Sequence, residues 1–311
     1  MNRKQSLLTI TTLFILAISA VAQDRKPLPP GEQQKYVVSA KPGIVSLIEG
    51  ELNSRHENTG WARLFETEQP DWKKLNVGDQ LEINDRLRSN TAGRAEVLLT
   101  PGVYLRLSGN SEVVFQFDGD ARQELTLERG SIIVEASLDS WITVNALKST
   151  VYLIRTGVYR IDLNGEQLAV AAREGKAFVG DTEIKQGRKV TFSSESPLVG
   201  KLDRNSDDAF DVWSKDRARS LIALNRSLNR NQLRSSGLIT NVINTWIFDR
   251  FCGCYTFLPW TGGFASPYGW GYSVCNPYWY WNGNPSGGWY SGGWPTGGGG
   301  GGHPGGGHHG G

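Results

Sequence analysis

Four histidines and three cysteines are the side chains of this 311-residue chain best suited to binding a metal. His303, His308 and His309 lie together in a glycine-rich terminal stretch. Imidazole binds Zn, Ni and Cu, but a defined site usually needs a scaffold that fixes the geometry of its ligands. We therefore predict no specific metal site here, and no motif in the sequence indicates a cofactor.

The three cysteines, Cys252, Cys254 and Cys275, all lie in the last quarter of the chain. In an oxidising compartment they can form one disulfide and leave one thiol. Joining the near neighbours Cys252 and Cys254 is sterically awkward, so we expect Cys275 to pair with one of these two. A metal site with three sulfur ligands is the alternative, which an oxidising compartment disfavours.

No catalytic motif is present in the sequence. A serine in a Gly-x-Ser-x-Gly turn, a phosphate-binding loop and a Gly-x-Gly-x-x-Gly turn that opens a helix are all missing from it. His56 is the sole histidine outside the terminal stretch, and it lies in a polar run at 53–60. We therefore predict that the protein is not an enzyme, although a pair of carboxylates brought together only by folding would escape this prediction.

The N-terminus has the pattern of a secretory signal peptide. Arg3 and Lys4 precede an apolar run at 7–18, and Ala20-Val21-Ala22 fits a cleavage site before Gln23. The apolar run is shorter than the roughly 20 residues of a spanning helix. We therefore expect an exported protein of the periplasm or cell surface, with no spanning helix in the mature chain; an uncleaved N-terminal anchor in the inner membrane is the alternative.

The formal net charge is only +2, and the Lys and Arg residues are interspersed with Asp and Glu. A nucleic-acid partner would require a clustered basic face. We therefore predict no nucleic-acid partner.

Changes in composition divide the chain into successive segments. We predict a signal peptide at 1–22, a polar lead-in at 23–35, a β domain at 36–200, a helix at 201–235, an aromatic segment rich in glycine and proline at 236–296, and a disordered Gly/His tail at 297–311.

The segment 36–200 alternates short β-type runs with turns that contain glycine. Tyr104-Leu105-Arg106-Leu107 and Phe115-Gln116-Phe117 show the period of two expected of half-buried strands. Similar runs recur about every 8–12 residues, separated by turns such as Glu174-Gly175. This spacing is typical of a sandwich, a barrel or a solenoid, and it predicts a mainly β fold.

In their order and spacing, several of these motifs resemble a FecR domain over about residues 40–192. They are Val77-Gly78-Asp79-Gln80-Leu81, Asp85-Arg86-Leu87-Arg88-Ser89, Gly93-Arg94-Ala95-Glu96-Val97, Leu125-Thr126-Leu127-Glu128-Arg129-Gly130-Ser131 and Gly157-Val158-Tyr159-Arg160. The resemblance implies a periplasmic β-rich domain, solenoid-like or sandwich-like, without enzymatic activity. Typical members are regulators of iron uptake that carry a cytoplasmic segment binding a sigma factor. Since only six residues precede the apolar run, we expect the fold and the compartment to transfer, but not that role.

Residues 206–230 carry a helix pattern. Ser206 can cap the first turn, and Asp207 and Asp208 suit the positive end of the helix dipole. Apolar side chains fall along one face, which Arg217 interrupts. Packing of this amphipathic face on the β domain or on the C-terminal segment is the first interpretation. Binding to a membrane surface or to a partner is the second.

The segment 236–296 is dense in aromatic residues spaced by glycine and proline, and Trp246-Ile247-Phe248-Asp249 in it is a predicted strand. Aromatic rings have flat apolar faces on which sugar rings can stack. We therefore select a candidate ligand surface of Trp260, Tyr268, Trp270, Tyr278, Trp279 and Trp281. The alternative is a small core fixed by a disulfide, or a disordered adhesive segment.

Together these patterns favour a non-enzymatic binding or scaffolding protein of the cell envelope, with an envelope glycan or an envelope protein as partner. A periplasmic sensor or regulatory protein related to FecR-type signalling is the alternative. A purely structural surface protein is a third hypothesis.

Overall fold

The computed structural model describes residues 36–57, 71–118, 122–193, 196–203, 206–235, 244–260 and 264–273. The strands are β1 (Tyr36–Ser39), β2 (Ile44–Glu49), β3 (Leu52–His56), β4 (Lys73–Lys74), β5 (Asp85–Ser89), β6 (Arg94–Leu98), β7 (Val103–Leu107), β8 (Glu112–Asp118), β9 (Arg122–Ala136), β10 (Trp141–Ala146), β11 (Ser149–Leu153), β12 (Gly157–Asn164), β13 (Gln167–Glu174), β14 (Lys176–Val179), β15 (Thr182–Lys185), β16 (Arg188–Phe192), β17 (Leu198–Lys201), β18 (Asn244–Asp249) and β19 (Cys254–Pro259). The helices are α1 (Ala209–Ser227) and α2 (Arg230–Ser235). The predicted mainly β fold is confirmed. Neither helix is long and apolar enough to cross a lipid bilayer, as judged over the described residues.

Strand β9 is 15 residues long and takes part in two sheets. Its first half pairs with β8 and β10, and its second half pairs with β7 and β12. Gly130 lies between the two halves with φ of 85°, a conformation that glycine adopts without steric cost. A Cβ atom there would also lie 2.5 Å from the hydroxyl oxygen of Ser111. Glycine therefore permits the strand to pass from one sheet into the other.

The two sheets share β9, and we call them sheet I and sheet II. Sheet I runs β2–β6–β7–β9–β12–β13–β16–β17, and sheet II runs β4–β3–β5–β8–β9–β10–β11–β14–β15. Neighbouring strands in both sheets are antiparallel, except that β10 runs parallel to β9.

The facing sides of the two sheets enclose one apolar core. Val97, Leu105 and Val134 enter it from sheet I, and Leu125 and Val144 enter it from sheet II, all fully buried. The neighbours of each of these residues along its own strand point away from the core, because side chains alternate along a strand. The arrangement is a sandwich rather than a solenoid, the two topologies that the resemblance left open.

A further layer covers the outer side of sheet I. Strands β1, β18 and β19 form a three-stranded antiparallel sheet in the order β1–β18–β19. Tyr36, at the start of the predicted β domain, lies opposite Asp249 of the aromatic segment. The predicted strand at 246–249 is therefore present, and it pairs with the beginning of the domain. We call β1, β18, β19, α1, α2 and residues 264–273 the covering layer.

Helix α1 begins later than the sequence pattern indicates. Asp208 is the N-cap, and its side chain accepts hydrogen bonds from the backbone N–H groups of Phe210 and Asp211. The prediction that Ser206 caps the helix is wrong, because its hydroxyl instead donates a hydrogen bond to the backbone oxygen of Asp203 at 2.9 Å. The carboxylate of Asp208 both accepts these bonds and places a negative charge at the positive end of the helix.

Candidate functional site

Charged side chains occupy the outer side of sheet I, beneath the covering layer. Glu96 of β6 lies directly opposite Arg106 of β7. Glu135 of β9 lies opposite Tyr104 and is therefore diagonal to Arg106. All three charged side chains are completely buried.

Arg106 is the centre of a buried ion network. Its Nε atom lies 3.0 Å from Oε2 of Glu96, and its Nη1 atom lies 2.7 Å from Oε2 of Glu135. The same Nη1 atom donates to the hydroxyl of Ser214 on α1 at 2.8 Å. Arginine suits this position because its planar fork can serve several acceptors at once. We name Arg106, Glu96, Glu135, Ser214 and Arg217 the Arg106 cluster.

Arg217 of α1 supplies the second cation of this cluster. Its Nε and Nη2 atoms lie 3.0 and 2.9 Å from Oε1 of Glu96. The sequence showed this arginine as an interruption of an apolar helix face. In the structure it instead enters the interface and, with Arg106, balances the two glutamates. The interpretation that α1 packs on the β domain is the one that the structure supports.

The network keeps the carboxylate of Glu96 ionised in spite of its burial. Desolvation is the largest influence on Glu96 and opposes its ionisation, but the charges of Arg217 and Arg106 and a hydrogen bond from Ser46 outweigh it. The pKa of Glu96 therefore lies below its usual value. Glu96 is therefore a charged partner for the two arginines that contact it.

A second set of ion pairs anchors the first turn of α1. Nη1 of Arg160 lies 2.7 Å from Asp211 and 2.8 Å from Asp208. Nη2 of Arg173 lies 2.8 Å from Asp207 and 3.2 Å from Asp211. Burial, the strongest influence, raises the pKa of Asp211, although both arginines favour its ionised form. The two aspartates predicted to favour the helix dipole thus also bind arginines of the sheet.

Three residues of the predicted aromatic ligand surface lie within the described chain, and all three are half-buried in the covering layer. The hydroxyl of Tyr268 lies 2.9 Å from that of Ser214, and burial raises the pKa of Tyr268 to about 12. The ring of Trp270 lies 6.3 Å from that of Tyr268, whereas Trp260 packs against a separate cluster around Leu258. These rings therefore contribute to packing of the covering layer, and ligand binding by them stays a prediction. Tyr278, Trp279 and Trp281 lie outside the described residues.

The cysteine pairing differs from the expected one. Cys252 and Cys254 are bonded to each other, with their Cα atoms 5.3 Å apart, a separation usual for disulfides. Gly253 between them has φ of 63°, and this left-handed turn brings the two side chains together. Cys275 lies outside the described residues.

His56 is located at the rim of a polar cleft of about 460 Å³. Its Nδ1 atom lies 2.9 Å from Oδ1 of Asp85. Ser54, two residues earlier on β3, also lines this cleft, but no hydrogen bond to the histidine ring is found for it in the described structure. A histidine and an aspartate without an attached nucleophile do not make a catalytic triad. Among the described residues, no group of three His, Cys, Asp or Glu side chains is arranged to hold a metal ion.

The outer side of sheet II has no covering layer among the described residues, and sequence reasoning missed it as a candidate site. Trp141 of β10 and Tyr152 of β11 point outward there, with exposed fractions of 62% and 42%. The outward position of both rings follows from the alternation of side chains along these strands, which places Ile142 and Leu153 in the core. The sequence did not show the pairing that brings the two strands side by side.

Comparison with known proteins identifies part of the fold. Residues 85–178 match the family model described as FecR protein, which confirms the resemblance over that range. No curated protein matches the chain. Two solved structures of a putative anti-sigma factor from Parabacteroides distasonis ATCC 8503 are similar to it. One has 16% identity, covering 38% of this chain and 60% of that chain with a TM-score of 0.34. The other has 14% identity, covering 44% and 64% with a TM-score of 0.35. This chain thus spans a little over three-fifths of the length of those structures.

Proposed function

We propose that this chain, which carries a FecR domain, is a non-enzymatic binding protein of the cell envelope. The observation that supports this proposal is the contrast between the two faces of the sandwich. The outer side of sheet I is closed by the chain's own covering layer, whereas no described residue covers the outer side of sheet II, which bears exposed aromatic rings. A protein of this form presents one fixed face to a partner.

The charged residues of the described structure support binding rather than catalysis. Glu96, Glu135 and Arg106 are buried in ion pairs within sheet I. Arg217 and Ser214 of α1 join the covering layer to them. The pKa of Glu96 is lowered rather than raised toward neutrality, whereas a general acid or base works best with a pKa near the operating pH. These groups therefore have a structural role in the proposal.

The location in the envelope rests on the sequence pattern at the N-terminus. We expect cleavage before Gln23 and delivery of the mature chain to the periplasm or cell surface. Cell fractionation followed by N-terminal sequencing tests this. A mature protein that begins at Gln23 in the periplasmic or surface fraction supports export. A chain that begins at Met1 in the inner-membrane fraction supports the uncleaved anchor instead.

Affinity capture from envelope extracts tests the binding function. The full mature chain is immobilised beside a version that ends at Ser273. A deletion that began at Gly237 would be a poor choice, because it removes Trp246, which is fully buried against Tyr104 with their ring centroids 4.9 Å apart. Retention of the same envelope component by both versions supports binding by the folded domain. Retention by neither version contradicts the proposal.

A sensor or regulatory role is the second candidate, favoured by the FecR match and by the way α1 is attached. Charge pairs such as Arg160 with Asp211 and Arg217 with Glu96 hold it to the sheet, and buried ion pairs contribute little net stability for their desolvation cost. In this reading the covering layer is released when a ligand binds. Hydrogen exchange of the α1 amides with and without envelope extract tests it: faster exchange on addition supports release, and unchanged exchange excludes it.

A further inference from the structure

A row of aromatic side chains crosses three neighbouring strands on the outer side of sheet II. Trp141 lies on β10, Tyr152 on β11 and Phe178 on β14. The exposed fractions of Trp141 and Tyr152 are 62% and 42%, and Phe178 is half-buried. Most apolar side chains of this size lie inside a protein, so a group of exposed rings on one face indicates a binding surface.

The strand register places these rings next to one another. Thr143 lies opposite Tyr152, and Tyr152 lies opposite Phe178. Trp141 is two residues from Thr143 on the same strand and is therefore the diagonal neighbour of Tyr152, within reach of an aromatic side chain. Since adjacent strands are about 4.8 Å apart, the three aromatic residues occupy neighbouring positions on one face of the sheet, and we call them the aromatic platform.

Hydrogen-bonded polar groups, among them one carboxylate, border the three aromatic side chains. The side-chain amide nitrogen of Asn145 donates to Glu124 at 2.5 Å, and the hydroxyl of Thr150 donates to the amide oxygen of Asn145 at 2.9 Å. One strand further, the hydroxyl of Thr126 donates to Gln116 at 2.9 Å. This ladder of hydrogen bonds fixes the orientation of hydroxyl and amide groups on the same face as the rings.

The charges at the other border compensate each other. Nζ of Lys176 lies 2.6 Å from Oε1 of Glu183, and the same ammonium group lies 5.8 Å from the centre of the Phe178 ring. A nucleic acid or a strongly charged peptide would require an excess of one charge. Lys185 also lies 3.8 Å from Glu183 on this face, and the carboxylate of Glu124 borders the other side of the rings. These two positive and two negative side chains balance, which matches a ligand without net charge.

We propose that Trp141, Tyr152 and Phe178 bind a neutral polysaccharide, with Asn145 and Thr150 contacting its hydroxyl groups. The apolar faces of sugar rings stack on the aromatic platform, and their hydroxyl rims exchange hydrogen bonds with the ladder. This inference deepens the proposed binding function and rests on it. We call the five residues the Trp141 surface.

The chain's own C-terminal part begins far from this surface. Ser273, the last described residue, donates its backbone N–H to Asn225 of α1 at 2.7 Å. It therefore belongs to the covering layer on sheet I, and the core of the sandwich separates it from the outer side of sheet II. Residues 264–273 thus lie on the opposite side of the sandwich from the Trp141 surface.

Native affinity electrophoresis of the full mature chain tests the proposal. Gels contain laminarin, dextran or hydroxyethyl cellulose as neutral probes, and titration calorimetry follows with any probe that retards the protein. We expect at least one probe to retard the wild type and Trp141→Ala and Tyr152→Ala to bind it at least tenfold more weakly. Phe251→Ala is the matched control: Phe251 is 82% exposed on the turn after β18, in the covering layer, and this variant should bind as wild type.

The outcomes separate the surface from the function. If Trp141→Ala and Tyr152→Ala bind a probe as tightly as wild type, or if none of the three probes retards the wild type, the Trp141 surface is not a polysaccharide site. If the wild type nevertheless captures an envelope protein that both variants also capture, the binding function stands without this surface. Circular dichroism confirms that the variants are folded, which we expect because both side chains are exposed.

Discussion

The Nε atom of Arg106 lies 3.0 Å from Oε2 of Glu96, and both side chains are completely buried. Arg106→Met leaves Glu135 buried without its arginine, so we expect the free energy of unfolding to fall by about 3–5 kcal/mol. Urea denaturation followed by circular dichroism measures the loss. The double variant Arg106→Met/Glu135→Gln should recover part of it, because Glu96 keeps Arg217 and the second buried charge is removed.

The control for this prediction is an exposed ion pair of the same kind. Nη1 of Arg155 lies 3.0 Å from Asp139, with exposed side-chain fractions of 65% and 56%. Arg155→Met should cost less than about 1 kcal/mol, as surface pairs generally do. Equal losses for the Arg106 and Arg155 variants would show that the buried network has no special structural role.

The start of α1 gives a prediction that separates two candidate caps. Asp208→Ala should lower the free energy of unfolding by about 1–2 kcal/mol, because two backbone N–H groups lose their acceptor. Asp208→Asn retains an acceptor and should cost less. Ser206→Ala should stay within about 0.5 kcal/mol of wild type. Thermal unfolding of the three variants measures this order, and a larger effect at Ser206 than at Asp208 would contradict the cap assignment.

Gly102 lies where the covering layer meets the sandwich. Its φ is 91°, and a Cβ atom there would lie 2.8 Å from Leu138 and 3.2 Å from the ring of Phe257. Gly102→Ala should therefore lower the free energy of unfolding by about 1–2 kcal/mol, because alanine is strained in the left-handed conformation. Displacement of Leu138 and Phe257 should lower it further. Gly165→Ala is the control, since its φ is 58° with open space around the site. Equal changes in melting temperature for the two variants would show that the contact with Phe257 is loose.

Stability should decline on the acid side because buried carboxylates are ionised in the fold. The pKa of Glu96 and that of Glu112 are both lowered from 4.5, in each case against desolvation, through arginines at Glu96 and through hydrogen bonds from Arg88 and Arg86 at Glu112. A lowered pKa adds stability above the unfolded value, and this stability is lost as the pH falls through the folded pKa. We expect a steady loss of unfolding free energy below about pH 4.5. Glu112→Gln should make that decline shallower in urea titrations at pH 3 to 7, and an unchanged slope would contradict the assignment.

The β architecture was predictable because alternation along a strand is local information. In β7, Leu105 and Leu107 follow the period of two that is expected of a half-buried strand. Glycine in the turns indicates where the chain reverses. The burial of Arg106 was not predictable in this way. Its covering residues, Ser214 and Arg217, lie more than a hundred positions later, and the sequence does not show which face of a two-sided strand they cover.

The errors at single residues come from information that the local sequence does not carry. Ser206 and Asp208 are both good capping residues, and the contact between Asp208 and Arg160 of the sheet, which favours the later start, is a tertiary one. The bond between Cys252 and Cys254 depends on the backbone angle of Gly253, which the spacing of the cysteines does not reveal. The exposed Trp141 was readable as an outward position, but its alignment with Tyr152 depends on strand register.

Strand β9 couples the two sheets in a way that bears on how the domain comes apart. Because a single stretch of backbone supplies hydrogen bonds to β8 and β10 on one side and to β7 and β12 on the other, neither sheet can lose it alone. Loosening of sheet II would strip sheet I of a central strand at the same moment. The sandwich is therefore expected to unfold in one cooperative step, with its central amides exchanging only through global opening.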